Sequence, residues 1–150
     1  PARARPARPA PGRSSLVRRA VALVVHFPGQ AAEVAVPAGL AHFDRPGMDL
    51  LLALLADVRP GMSAGVLLER WREHEAWPHL QKLAAAEMLA TEEVATAELQ
   101  DCLERLEEDQ VRLRHEQLFE ISRSRRLDPE ERAELKALDA RMARRSGTTA

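Results

Sequence analysis

Ser122-Arg123-Ser124-Arg125-Arg126-Leu127-Asp128-Pro129-Glu130-Glu131 decides how the last third of this chain folds. Upstream of it, from about Thr96, a charged stretch punctuated by leucine has helical periodicity, and the quoted segment supplies both a stop and a restart. Asp128 has the short acceptor side chain that an N-cap requires. Pro129 stands at the first helical position, where no N–H is needed, and Glu131 occupies the reciprocal position of a capping box. A second helix is therefore predicted to begin at a defined point. Long helix, tight basic connection and short antiparallel helix make a hairpin, an architecture suited to docking on a partner protein rather than to enclosing a substrate.

Within the long helix, Leu99, Leu103, Leu106 and Leu113 keep heptad-like spacing, and Val111, Leu118 and Ile121 then carry the apolar stripe onto a rotated face. Such a rotation predicts two roles for one helix. Its first half packs on a bundle, and its second half stands clear and pairs with Leu135, Leu138 and Met142.

The preceding chain reads as helices separated by Pro, Gly and Ser/Thr, with no strand alternation. The fold class is all-α, a multi-helix bundle followed by a protruding C-terminal hairpin. Leu16, Ala20, Leu23, Val24 and Phe27 give a first helix an apolar face that ends at Pro28-Gly29. A short helix over residues 30–35 and a connection over 37–46 follow. The leucine-dense stretch 48–58 is predicted to be the centre of the core. Ser63 caps the next helix, which carries Val66, Leu67, Leu68 and Trp71, and Pro78 opens another that presents Leu80 and Leu83 and continues to Leu89. Residues 1–14 form a Pro/Arg/Ala-rich linker, 15–95 the bundle, 96–145 the long helix and hairpin, and 146–150 a disordered tail.

Charge narrows the function. Lys and Arg number 22 against 23 Asp and Glu, a formal net charge of −1, and the two signs are interleaved along helices. Nucleic-acid binding calls for a basic face or stripe, so the balance favours a protein partner. The lone Cys102 excludes an intrachain disulfide and a Cys-based zinc site, and it fits a reducing compartment, here the cytoplasm. No run approaches the roughly 20 apolar residues that span a bilayer. An opening without Met, in a Pro/Arg/Ala repeat, is not a signal peptide and is expected of a piece of a longer protein with a segment upstream.

Catalytic candidates fail on spacing. His74 and His79 are five residues apart with Pro78 between them, and five residues turn the second ring about 140° away on a helix. His115-Glu116 has no second histidine one turn on and reads as a solvated helix face. Cys102 lies beside Leu99, Leu103 and Leu106 and reads as a small core residue. Gly61 and Gly65 lack the spacing and the lysine of a phosphate loop, and the acidic run 104–109 is better suited to i,i+4 pairing than to a divalent metal.

A resemblance adds to this reading. Val17-Arg18-Arg19-Ala20-Val21-Ala22-Leu23-Val24-Val25 followed by Pro28 resembles the opening helix of the C-terminal domain of bacterial DnaG-type primases, and Leu51-Leu52-Ala53-Leu54-Leu55 with residues 60–71 (PGMSAGVLLERW) is similar to that domain's central pair of helices. Leu80-Gln81-Lys82-Leu83-Ala84 and 126–135 (RLDPEERAEL) continue the likeness in order, so that it spans residues 16–142. His26, Phe27 and Gln30 replace the glutamine and leucine usual around the Pro28 turn.

The resemblance implies a helicase-binding domain whose hairpin docks on the N-terminal domain of the hexameric replicative helicase. It also implies a complete protein that is a DNA primase, a nucleotidyltransferase, with zinc and divalent metal held by domains upstream. This chain itself is expected to hold no cofactor, to be non-catalytic and to bind little nucleic acid. The residues expected to meet the helicase are Arg123, Arg125, Arg126 and Leu127 at the tip, Glu130 and Glu134 after it, and Leu138, Arg141 and Met142 beyond. Leu135, Leu138 and Met142 must also serve the packing between the two helices. Two other readings remain open: a nucleic-acid-binding helical module using the basic tether and tip, and a domain of the helicase N-terminal type.

Overall fold

Seven α-helices and one 3-10 turn make up the regular structure of the described residues, 13–148, with side chains described at 16–145, in a computed structural model. The helices are α1 (Arg13–His26), α2 (Pro28–Ala31), α3 (Met48–Asp57), α4 (Ala64–Arg70), α5 (Trp77–Ala85), α6 (Glu92–Ser124) and α7 (Pro129–Thr148); the 3-10 turn is Ala38–His42. No strand occurs among the described residues. The chain divides into two compact units between Leu106 and Glu107, and α6 runs through the boundary. Most of the expected linker, residues 1–12, lies outside the described residues, as do 149 and 150. α1 begins at Arg13, and α7 continues to Thr148, into the stretch expected to form a tail.

In the first unit the central element is α1. It packs against α2, α3, α4 and α5, and buries Val17, Ala20, Val21, Leu23, Val24 and Val25. The leucine-dense α3, predicted to hold the centre, buries one face through Met48, Leu51 and Leu54 and leaves Leu52 and Leu55 half-exposed. Side-chain bulk and charge explain the exchange. A run of alanine and valine is slim enough for four helices to approach, whereas Asp49 and Asp57 at the two ends of α3 need a wet side.

The junctions differ from expectation where proline or tertiary packing decides. α2 starts at Pro28, two residues before Gln30, because proline is preorganised for the first helical position. His26 donates its Nε2–H to the Leu83 carbonyl at 2.8 Å, tying the end of α1 to α5. α5 stops at Ala85 rather than Leu89. Ala86 is extended (ψ 148°) and its N–H closes the helix on the carbonyls of Lys82 and Leu83. The helix-forming residues Glu87, Met88 and Leu89 are left out, because the chain must turn into α6, which begins at Glu92 rather than Thr96. That start is held by three long-range attachments. Gln30 donates to Glu92 at 2.7 Å, Arg19 pairs with Glu98 at 2.5 Å, and Gln100 exchanges two 2.9 Å bonds with the backbone of Ala35.

Two glycines are dictated by geometry. Gly47 has φ +87°, and a Cβ there would lie 2.9 Å from Val17 Cγ1. Gly29 is buried where α2 meets the Pro60-Gly61-Met62 turn, and a Cβ would stand 3.2 Å from the Met62 carbonyl oxygen and 3.3 Å from the Gly61 nitrogen. Both neighbours are backbone. Gly29→Ala should therefore lower stability by about 1–3 kcal/mol. By contrast, Gly65→Ala, inside α4 with only the Ser63 hydroxyl at 4.0 Å, should raise it by about 0.5–1 kcal/mol. Thermal or urea denaturation reads both signs.

Asp57 closes α3 onto the end of α4. Its carboxylate accepts from Arg70 at 2.9 and 2.5 Å and from the Trp71 indole at 2.9 Å. Arg70 above all, then Trp71, holds the carboxyl at about 2 against an ordinary 3.8, with burial opposing. A folded-state pKa below the unfolded one gives stability that is complete above pH about 3.8 and is lost as pH falls through about 2. Asp57→Asn should remove this acid-dependent component, measured as the change in denaturation midpoint between pH 5 and pH 2.

Candidate docking hairpin

The connection between α6 and α7 is built from local hydrogen bonds. Ser122 and Ser124 turn their hydroxyls back to the carbonyls of Phe119 (2.5 Å) and Ile121 (3.2 Å), and the Ile121 carbonyl also accepts the Arg125 N–H at 3.0 Å. After four intervening residues α7 starts as the sequence predicts. The Glu131 N–H donates to Asp128 Oδ1 at 2.7 Å and the Asp128 N–H donates to Glu131 Oε1 at 3.0 Å, a complete capping box. Glu131 also receives both terminal nitrogens of Arg125 at 2.8 Å each. Arg125 first and the Asp128 N–H second hold the Glu131 carboxyl at about 2, against an ordinary 4.5.

Beyond the turn the helices share one apolar layer, Val111 and Leu118 of α6 with Leu138 of α7, flanked by Leu135 and Met142. Ion pairs border it. Arg114 grips Glu134 at 2.6 and 3.0 Å, His115 donates to Asp139 at 2.6 Å, Arg141 reaches Glu107, and Arg145 reaches Glu108. The bond from Arg114 lowers the pKa of Glu134, and the same bond raises that of Arg114. His115 thus lies in the seam between helices, not on the solvated face expected of it.

This geometry sorts the residues expected to meet a partner. Leu127 and Leu138 are buried, and Met142 is half-buried against the apolar layer. Arg125, Glu134 and Arg141 are each spent on a partner inside the hairpin. Arg123, Arg126 and Glu130 remain exposed at the tip. Sequence reasoning missed Phe119, which is 52% exposed with the Arg123 guanidinium 5.5 Å from its ring centre. A phenylalanine one position past the buried Leu118 was the available signal, since the two point about 100° apart on a helix.

Elsewhere the rejected candidates have ordinary roles. His74 Nδ1 accepts the Ala76 N–H at 3.0 Å and its ring packs on Trp71, fixing the turn before α5. Cys102 is 4% exposed, and burial pushes its thiol pKa up. Among the described residues, no group of three His, Cys, Asp or Glu is gathered to hold a metal ion, and no helix is long and apolar enough to cross a membrane. A groove of about 510 Å³ beside Trp71 is lined by Ala53, Ala56, Asp57, Arg70 and His74, whose Asp and Arg are already paired with each other.

The family model described as DNA primase DnaG DnaB-binding matches residues 17–138. The chain belongs to this family. It is 30% identical to the DNA primase of Salmonella typhimurium over 141 residues, covering 92% of this chain and 24% of that protein. The DNA primase of Escherichia coli K12 is 29% identical over the same length. The chain thus spans about a quarter of the length of the curated relatives it matches. Among solved structures, the C-terminal domain of the Vibrio cholerae DnaG primase is similar with a TM-score of 0.64 and 29% identity, covering 82% of this chain and 95% of that one. The family match runs from Val17, within α1, to Leu138, so it takes in the capping box and the apolar layer of the hairpin.

The capping chemistry makes two expectations. Glu131 should titrate near pH 2 in carboxyl-resolved NMR, and its contribution to hairpin stability, complete above about 4.5, should disappear as pH falls through about 2. Asp128→Ala should cost about 1 kcal/mol, the usual loss for an N-cap, and should raise amide exchange over residues 130–132.

Proposed function

We propose that this chain is the part of a bacterial DNA primase that docks on the N-terminal domain of the hexameric replicative helicase in the cytoplasm, holding primase at the replication fork. The observation that carries the proposal is a family match for DnaB binding extending over a hairpin with a preorganised turn. A rigid turn lowers the ordering cost of association, which suits recruitment. Primer synthesis, with its zinc and divalent metals, is assigned in this proposal to other parts of the primase.

The test is a titration of the chain into fluorescently labelled helicase N-terminal domain from the same cell, with single-stranded DNA as the second ligand. Saturable helicase binding at moderate salt, with little DNA affinity, is the expected result. DNA binding that falls steeply with salt, alongside no helicase binding, would instead favour the nucleic-acid reading.

A further inference from the structure

Phe119 is the large hydrophobic residue that stays exposed among the described residues of the hairpin. Val111, Leu118, Leu127 and Leu138 are buried, and Leu135 and Met142 pack on the apolar layer. Phe119 is not a loose ring. The His115 imidazole lies nearly parallel to it, 13° between planes with centres 6.5 Å apart, and Arg123 covers it from the next turn. His115 is itself anchored by Asp139 at 2.6 Å. An exposed aromatic held on two sides loses little freedom when a partner closes over it.

Charge on the same face adds the second argument. Arg112, Phe119 and Arg123 fall within about 40° of one another around α6 at 100° per residue. Among the described residues the ion pairs of Arg112 and Arg123 are long, 3.9 Å to Asp109 and 4.0 Å to Glu120, whereas Arg114 and Arg125 grip carboxylates at 2.6 and 2.8 Å. The Arg123–Glu120 pair, exposed on both sides, contributes about 1 kcal/mol or less and yields readily to a better acceptor. The outward residues of α7, namely Arg132, Ala133, Lys136, Ala137, Ala140 and Ala143, offer charge or small side chains but no comparable anchor.

We infer that the α6 face formed by Arg112, Phe119 and Arg123, with His115 bracing the ring from the seam, is the anchor by which the hairpin grips the helicase. Phe119 enters an apolar pocket on the helicase, and carboxylates at its rim meet the two arginines. This rests on the helicase-docking proposal, and it locates the grip on α6 rather than on the buried leucines of the seam. Aromatic residues and arginine are the types that dominate binding energy in such interfaces. The entire stripe lies inside the segment matched by the DnaB-binding family.

The experiment titrates the whole chain and its variants into labelled helicase, with circular dichroism melts alongside. Phe119→Ala should weaken binding by at least about tenfold with little change in melting, and Phe119→Leu should recover part of the loss. Arg123→Ala, which alters only exposed groups, should weaken binding by about three- to tenfold, and Lys136→Ala and Arg132→Ala on α7 should leave it unchanged. Should Phe119→Ala lower the melting temperature, the Arg123→Ala result decides. Wild-type binding with Phe119→Ala and Arg123→Ala within about twofold of it would overturn this surface and leave helicase docking standing. No binding by the wild-type chain would overturn both. A loss confined to single-stranded DNA affinity would make the stripe a base-stacking surface and also overturn the inference.

Discussion

The hairpin turns on one carboxylate. Glu131 accepts the Asp128 N–H and both terminal nitrogens of Arg125, so the end of α6 and the start of α7 are tied at a single side chain. With so few residues between the helices, that tie sets their register. Given the register, Glu134 arrives opposite Arg114, Asp139 opposite His115 and Arg141 opposite Glu107. The ion pairs at the surface contribute only about 0–1 kcal/mol each, against about 1.5–3 kcal/mol for a fully buried leucine or valine. The apolar layer therefore supplies most of the cohesion, and the charges fix which residues face which.

That division has a functional consequence. A hairpin with one apolar layer must spend its leucines and many of its charges on itself. Leu127, Leu138 and Met142 lie in or beside the packing, and Arg125, Glu134 and Arg141 are engaged within the hairpin. What is left for a partner is narrower and chemically distinct: an aromatic ring supported on both sides, and arginines held by long pairs. Such a surface is ready to bind without first breaking strong internal contacts.

In the first unit the governing constraint is close approach. α1 is surrounded by four helices because its inward residues are, apart from Leu23, alanine and valine, and the α2 turn meets the 60–62 turn with only a hydrogen at Gly29. Asp57, accepting from Arg70 and Trp71, then fastens α3 to the end of α4.

The sequence alone determined the helical class, the Ser63 cap and the restart at Asp128-Pro129-Glu130-Glu131, because capping depends on residues three apart whose chemistry is local. It also determined the two-sided character of α6, since the rotation of its apolar stripe is written in residue spacing. Tertiary structure alone decided that α1 rather than α3 is the core's centre and that α5 stops at Ala85. Those outcomes depend on which surfaces fit together across long separations, where local propensity has little say. Tertiary structure also separated the side chains consumed inside the hairpin from those left outside it. Arg123 and Arg125 are two residues apart in one basic run, yet Arg125 is consumed by Glu131 across the turn while Arg123 stays on the exposed side of α6 beside Phe119.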